Sequence, residues 1–112
     1  MAIRAQGNIV RGDAERLRRA IRAHPGQEVV LHISSEGGLL GEASDMASMI
    51  ARYRIPVFLP HNAICASACF LLLAASPDRM MSETARVGGV GAAVNGANTR
   101  PEARRQDLMH PR

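Results

Sequence analysis

The sequence predicts a single α/β domain with parallel strands and helical crossovers. Short apolar segments of strand length alternate with segments of helical periodicity, in the order strand, helix, strand, helix, strand, helix. The chain has 112 residues, of which 46% are hydrophobic. That length allows one modest core and is too short for two domains of ordinary size.

The first half of the chain supplies two strands and a helix. Residues 1–10 alternate apolar and polar side chains, which indicates an edge strand that runs into a turn at Gly7. Residues 11–26 have the periodicity of an amphipathic helix, with Asp13 as the expected N-cap. Residues 27–33, "QEVVLHI", are short and β-branched, which is typical of a buried strand.

The second half continues the alternation. Residues 42–53 place their apolar side chains on one helical face, and residues 55–60, "IPVFLP", predict another strand. Residues 66–75, "ASACFLLLAA", are apolar all round, so we expect a helix that is covered on every side. Two further short strands are predicted at residues 78–82 and 85–90.

Charge and composition set limits on the function. Fourteen basic residues, all arginine, outnumber ten acidic ones and give a net charge of +4. The chain has only three aromatic residues, whereas proteins that bind single-stranded nucleic acid need exposed aromatic rings as well as positive charge, so no nucleic-acid partner is expected. Residues 91–112 contain four arginines, two prolines and few large apolar residues, which predicts a basic tail after a domain of residues 1–90.

The N-terminus has no apolar stretch of signal-peptide length, and the apolar run at residues 63–76 is too short to span a bilayer. We therefore expect no membrane span and a cytoplasmic protein, or a periplasmic one if an export signal has been lost. Cys65 and Cys69 lack the further Cys or His partners of a zinc site. They are interpreted as small core residues, with a redox pair as the alternative, and no metal or cofactor is predicted.

Two junctions between strand and helix carry the candidate chemistry. Gly37 and Gly38 follow the strand at 27–33, and Ser67 stands at the start of the apolar helix. In a parallel sheet both junctions lie at the carboxyl ends of the strands, where ligands bind. A hydroxyl nucleophile beside backbone N–H groups is what acyl transfer requires.

With these motifs the chain resembles the proteolytic subunit of the Clp protease, and more closely the exported Clp-like proteins with a Cys-Ala-Ser-Ala-Cys box. The resemblance covers residues 3–90. It rests on four motifs, which together are specific: "GNIVRGDAERL", "LHISSEGGLLGEASDMASMI", "CASAC" and "DRMMSETARVGGV". It implies a Clp/crotonase-type sheet with helix crossovers, truncated at its C-terminus, and assembly into a homo-oligomer.

The resemblance also assigns the site. Ser67 matches the family nucleophile, while Gly38 and Ala68 match the backbone donors of its oxyanion hole, beside which Gly37 shapes the loop. The family's catalytic histidine position is taken by Val90 in "ARVGGV". Because the chain contains no lysine, a Ser-Lys dyad is excluded as the substitute.

A base for Ser67 must therefore be another histidine or a carboxylate. His110, which is spaced from Asp107 as on a helix, is the first candidate, and His61 is the second. His32 lies in a predicted buried strand and is interpreted as a hydrogen-bonded core residue. His24 ends the first helix, where its charge would suit the helix dipole.

Three functions stay open at this point. The first is a Clp-like serine peptidase or hydrolase that acts on a peptide or protein substrate through Ser67. The second is a catalytically inactive Clp-like subunit that acts through assembly. The third is a crotonase-like enzyme of acyl thioesters, for which Glu36 in "SSEGG" is the only nearby carboxylate.

Overall fold

The computed structural model describes residues 1–88 and contains two parallel sheets. The main sheet is built from strands β1 (Ala2–Gln6), β2 (Val30–Ser34), β3 (Val57–Leu59) and β5 (Arg79–Met81). They lie side by side in the order β1-β2-β3-β5, and every neighbouring pair is parallel. The small second sheet pairs β4 (Ile64–Ala66) with β6 (Arg86–Gly88).

Three helices connect these strands: α1 (Asp13–Arg22), α2 (Leu40–Tyr53) and α3 (Cys69–Ala75). Helix α2 packs against both α1 and α3. The predicted α/β class with parallel strands is confirmed, and the predicted tail at residues 91–112 lies outside the described residues. None of the helices within residues 1–88 has the length and apolar character that crossing a bilayer requires.

The core forms between the sheet and the helices. Strand β2 shows the pattern that places it there, because Leu31 and Ile33 are fully buried while the residues on either side of them are half-buried. Helix α2 contributes one buried apolar stripe to the core, with its residues spaced by three and four as helical periodicity requires. The stripe consists of Ala43, Met46, Met49 and Ile50.

The start of α1 differs from the prediction that Asp13 is its N-cap. Gly12 is the cap, in a left-handed conformation with a φ of 94°. Asp13 is the first helical residue, and its carboxylate accepts a hydrogen bond of 2.8 Å from the N–H of Val10. Helix α1 is also held from outside, because Glu42 on α2 accepts a hydrogen bond of 2.9 Å from the N–H of Ala14.

The apolar run at residues 64–75 also differs from the prediction. Its first part is strand β4, and helix α3 begins only at Cys69. The expectation that this helix is covered on every side is wrong, because Phe70 and Leu71 are 37% and 38% exposed. Leu72 and Leu73 are fully buried, so α3 buries one side and exposes apolar side chains on the other.

Candidate active site

The Gly-Gly loop after β2 and the Ser67 turn after β4 lie against each other. Ser35 joins them: its N–H donates to the carbonyl of Ile64 at 2.7 Å, and its carbonyl accepts from the N–H of Ala66 at 3.1 Å. The two loops therefore start from a shared parallel bridge between Ser35 and Cys65. The structure thus brings together the two sequence motifs from which the site was predicted.

A buried serine and a backbone bridge shape the Gly-Gly loop. The Oγ of Ser35 accepts a hydrogen bond from the N–H of Gly37 at 3.1 Å and lies 3.2 Å from the carbonyl oxygen of the same residue. The next residue, Gly38, pairs with Ile9 in a parallel bridge that brings the two backbones into close contact. Gly37 and Gly38 have φ angles of +122° and +143°, which side chains rarely allow, so both positions require glycine.

Ser67 is an exposed residue in a left-handed turn between β4 and α3. Its φ is 55°, a conformation that costs an L-residue about 1–2 kcal/mol. The turn is held by the N–H of Ser67, which donates to the carbonyl of Gly88 at 3.1 Å, and by its carbonyl, which accepts from Phe70 at 2.9 Å. Such strain persists only where the surroundings determine the conformation, and it is concentrated at functional sites.

A disulfide between Cys65 and Cys69 spans this turn. The two cysteines are fully buried, as the interpretation of them as core residues expects, and the bond between them is the pairing that was given only as the alternative. The sequence prediction missed the bond, because it started the helix at residue 66 and placed no turn between the two cysteines. Because Cys65 ends up on a strand and Cys69 starts the helix, their Cα atoms approach to 5.2 Å, which is within the usual range for a disulfide.

Two backbone N–H groups have no acceptor among residues 1–88, namely that of Gly38 in the Gly-Gly loop and that of Ala68, the residue after Ser67. The N–H of Gly37 is engaged by Ser35. Gly37 instead provides space: a Cβ placed on it would lie 2.9 Å from the Cβ of Ser67 and 3.2 Å from its Oγ. The loop therefore lies against the Ser67 side chain with bare glycine backbone.

The structure gives the described histidines other contacts than Ser67. The Nδ1 of His61 lies 2.9 Å from the Oγ1 of Thr84, and the Nδ1 of His24, which lies just beyond the end of α1, is 3.1 Å from a carbonyl oxygen of that helix. His32 is half-buried and packs edge-on against Phe58, with 5.0 Å between ring centroids, rather than forming the hydrogen bond expected of it. Within residues 1–88 the Oγ of Ser67 has no hydrogen-bond partner.

The other predicted partners lie elsewhere. Val90, Asp107 and His110 are outside the described residues. Glu36, the carboxylate of the crotonase-like reading, is exposed in the Gly-Gly loop. Across the described part of the chain, no three His, Cys, Asp or Glu side chains are grouped to hold a metal ion.

The clearest electrostatic effect lies on α1. A hydrogen bond from Arg18, reinforced by the charges of Arg18, Arg19 and Arg22, lowers the pKa of Glu15 below its ordinary value of 4.5. The ion pair between Arg18 and Glu15 measures 2.6 Å. Glu15 is exposed, so this pair is a feature of the solvated helix face.

Comparison with known proteins gives two sequence relatives from bacteriophages. The chain is 38% identical over 69 residues to the head-tail preconnector protein GP5 of Enterobacteria phage P21 and 35% identical over 72 residues to the capsid assembly protease C of Escherichia phage lambda. These matches cover 60% and 62% of this chain but only 14% and 16% of the relatives. No protein-family model matches the chain.

A solved structure shares the fold. The membrane-bound stomatin-specific protease 1510-N, in a serine-to-alanine variant, superposes with a TM-score of 0.64 at 19% identity, over 78% of this chain and 46% of that one. This shared fold confirms the predicted fold class, and the solved structure that shares it is a protease. The finer resemblance to exported Clp-like proteins with a Cys-Ala-Ser-Ala-Cys box stays a prediction.

Sequence reasoning missed two contributors to the site. Ser35 organises the Gly-Gly loop, and a serine that directly follows a strand, two residues before a glycine, is a recognisable signal, because its hydroxyl readily bonds the backbone two residues later. Gly88 supplies the acceptor for Ser67 from β6. Nothing local in the sequence signals that second contact, since it depends on the pairing of β4 with β6.

Proposed function

We propose that this protein is a serine-peptidase-like hydrolase in which Ser67 attacks the carbonyl of a peptide or protein substrate. The observation that carries the proposal is the Ser67 turn, where an exposed hydroxyl sits in a strained conformation against bare glycine backbone. The similarity to a capsid assembly protease, and the fold shared with a stomatin-specific protease, support the same reaction class.

The free donors suit the negative charge that develops during such an attack. We assign the N–H groups of Gly38 and Ala68 to the oxyanion hole, since both lack an acceptor within residues 1–88 and belong to the two loops that meet at Ser67. Gly37 serves by leaving the space in front of Ser67 open. Removing one donor from such a site typically lowers the rate by about a hundred- to a thousandfold.

The base is the open part of the proposal. A serine without its base loses on the order of a millionfold in rate, so a competent site must recruit one. Since Ser67 has no partner within residues 1–88, we look to His110, beyond the described residues, or to a histidine of a second copy in a homo-oligomer. His61 is the weaker candidate because its ring nitrogen already contacts Thr84.

Labelling with a fluorophosphonate, which reacts only with activated serines, tests the proposal on the full chain. We expect covalent modification at one site, mapped to Ser67 by mass spectrometry and lost in Ser67→Ala. Ser48→Ala removes an exposed serine from α2 and is the matched control, with labelling unchanged. Loss of labelling in His110→Ala would identify the base.

A catalytically inactive subunit that acts through assembly is the second candidate. The unpartnered Ser67 hydroxyl favours it, because no described group can take its proton. Absence of labelling in a protein that is folded by circular dichroism would reject the hydrolase and leave this candidate. A crotonase-like activity has less support, since Glu36 is an exposed loop residue.

A further inference from the structure

We infer that the Cys65–Cys69 disulfide is a positioning element for Ser67, so that the site is assembled in the oxidised protein and loosened in the reduced one. This inference rests on the proposed function for its effect on reactivity. Its effect on the conformation of the turn is independent of that function. No catalytic role is assigned to the sulfur atoms, which are fully buried.

The disulfide closes a short loop around the proposed nucleophile. Between the two cysteines stand only Ala66, Ser67 and Ala68. The enclosed segment thus contains the strained serine and the N–H group assigned to the oxyanion hole. A bond across five residues fixes the distance between the end of β4 and the start of α3, which is the distance the turn must bridge.

Other contacts hold the turn less completely. The N–H of Ser67 is bonded to β6, and the N–H of Ala66 is bonded to Ser35, so the strand side is well fixed. The helix side is held by hydrogen bonds within the turn and α3, from Phe70 to the carbonyl of Ser67 and from Leu71 to the carbonyl of Ala68, while the N–H of Ala68 has no acceptor within residues 1–88. The disulfide is the covalent link between this side and β4.

The redox step is a thiol–disulfide exchange. A dithiol reductant breaks the sulfur–sulfur bond between Cys65 and Cys69, and the chain gains two thiols. The dithiol supplies two electrons and two protons and closes its own disulfide. Both sulfur atoms lie in the core, so reduction of the folded protein is expected to be slow, and the reduced form is best prepared by refolding with dithiothreitol.

The experiment compares the oxidised wild type, the reduced wild type and the double variant Cys65→Ala/Cys69→Ala. Intact mass establishes the redox state, since reduction adds two hydrogen atoms. Two readouts are taken: the rate of fluorophosphonate labelling at Ser67, and hydrogen exchange of the amides of Ser67 and Phe70, which are both hydrogen-bonded in the turn. Exchange in α1 serves as the distant reference.

Without the disulfide we expect labelling to slow by roughly ten- to a hundredfold, the loss typical of a reacting group misplaced by about an ångström. Exchange at Ser67 and Phe70 should speed up, with α1 unchanged. Leu17→Ala, a buried change in α1, is the control for lost stability and should keep its labelling rate where it is folded.

Equal labelling rates with and without the bond would overturn the inference, as would equal exchange at Ser67. Faster exchange over the whole chain would also overturn it, since the bond would then support the fold in general. If the oxidised wild type is not labelled at all, the proposed hydrolase fails, and exchange alone decides whether the disulfide positions the turn.

Discussion

Replacing Gly38 with alanine should break the bridge that holds the Gly-Gly loop to Ile9. A Cβ at this position would overlap the carbonyl oxygen of Ile9 and lie 2.6 Å from its nitrogen, and all of these are backbone atoms that cannot rotate away. The bridge must therefore open. That costs the hydrogen bonds from Ile9 to the carbonyl of Gly37, at 2.8 Å, and from Leu39 to the carbonyl of Ile9, at 2.9 Å.

The expected loss of stability follows from these contacts. Each hydrogen bond contributes about 0.5–1.5 kcal/mol, and an alanine held at a positive φ costs about 1–3 kcal/mol more. We therefore expect Gly38→Ala to lower the free energy of unfolding by about 2–6 kcal/mol, a large share of the roughly 5–15 kcal/mol of a typical domain. Urea titration followed by far-ultraviolet circular dichroism measures it.

Gly41→Ala is the matched control. Gly41 lies in the first turn of α2, and a Cβ there meets no atom within 4 Å. Because alanine favours a helix over glycine by up to about 1 kcal/mol, this variant should be as stable as the wild type or slightly more so. A Gly38→Ala protein within about 1 kcal/mol of the control would refute the argument from backbone overlap.

Three further changes test other parts of the structure. Glu42→Ala removes the acceptor of the Ala14 N–H and should cost about 1 kcal/mol in the urea titration, and an unchanged midpoint would show that water replaces it. Ser76→Ala takes away a buried hydroxyl that lies 2.8 Å from the carbonyl of Ile55, and should cost about 1–3 kcal/mol, whereas a change below that range would mean the carbonyl finds another donor. Glu15 has a lowered pKa in the folded state, so its contribution is complete above pH 4.5 and is lost as the pH falls through the folded pKa. Glu15→Gln should therefore flatten the fall in melting temperature below that pH, and parallel curves would contradict this sign.

Much of the fold could be predicted from hydrophobic periodicity. Strands β1, β2 and β3 and helices α1 and α2 lie where their patterns place them. The patterns of β1, α1 and α2 have a clear period, whereas β2 and β3 are short apolar runs bounded by glycine, proline or polar residues. Strand β4 could not be separated from α3 in this way. A short apolar run fits a buried strand and a buried helix equally, and here one run contains both.

The motifs of the candidate site could be predicted from the sequence, but the disulfide and the hydrogen bond that hold the Ser67 turn could not. The residue types at Gly37, Gly38 and Ser67 indicate two loops at one edge of a sheet. The disulfide depends on a break between strand and helix that the sequence pattern does not show. The contact between Ser67 and Gly88 depends on strand pairing across twenty-one residues, which local propensity does not encode.

That last contact has a consequence for the order in which the site forms during synthesis. Strand β4 leaves the ribosome well before β6, the strand with which it pairs. Until residues 86–88 have emerged, the N–H of Ser67 lacks its acceptor, although the neighbouring N–H of Ala66 can already bond to Ser35. The serine is therefore synthesised before its turn can be completed, and the last strand that the structure describes supplies the missing contact.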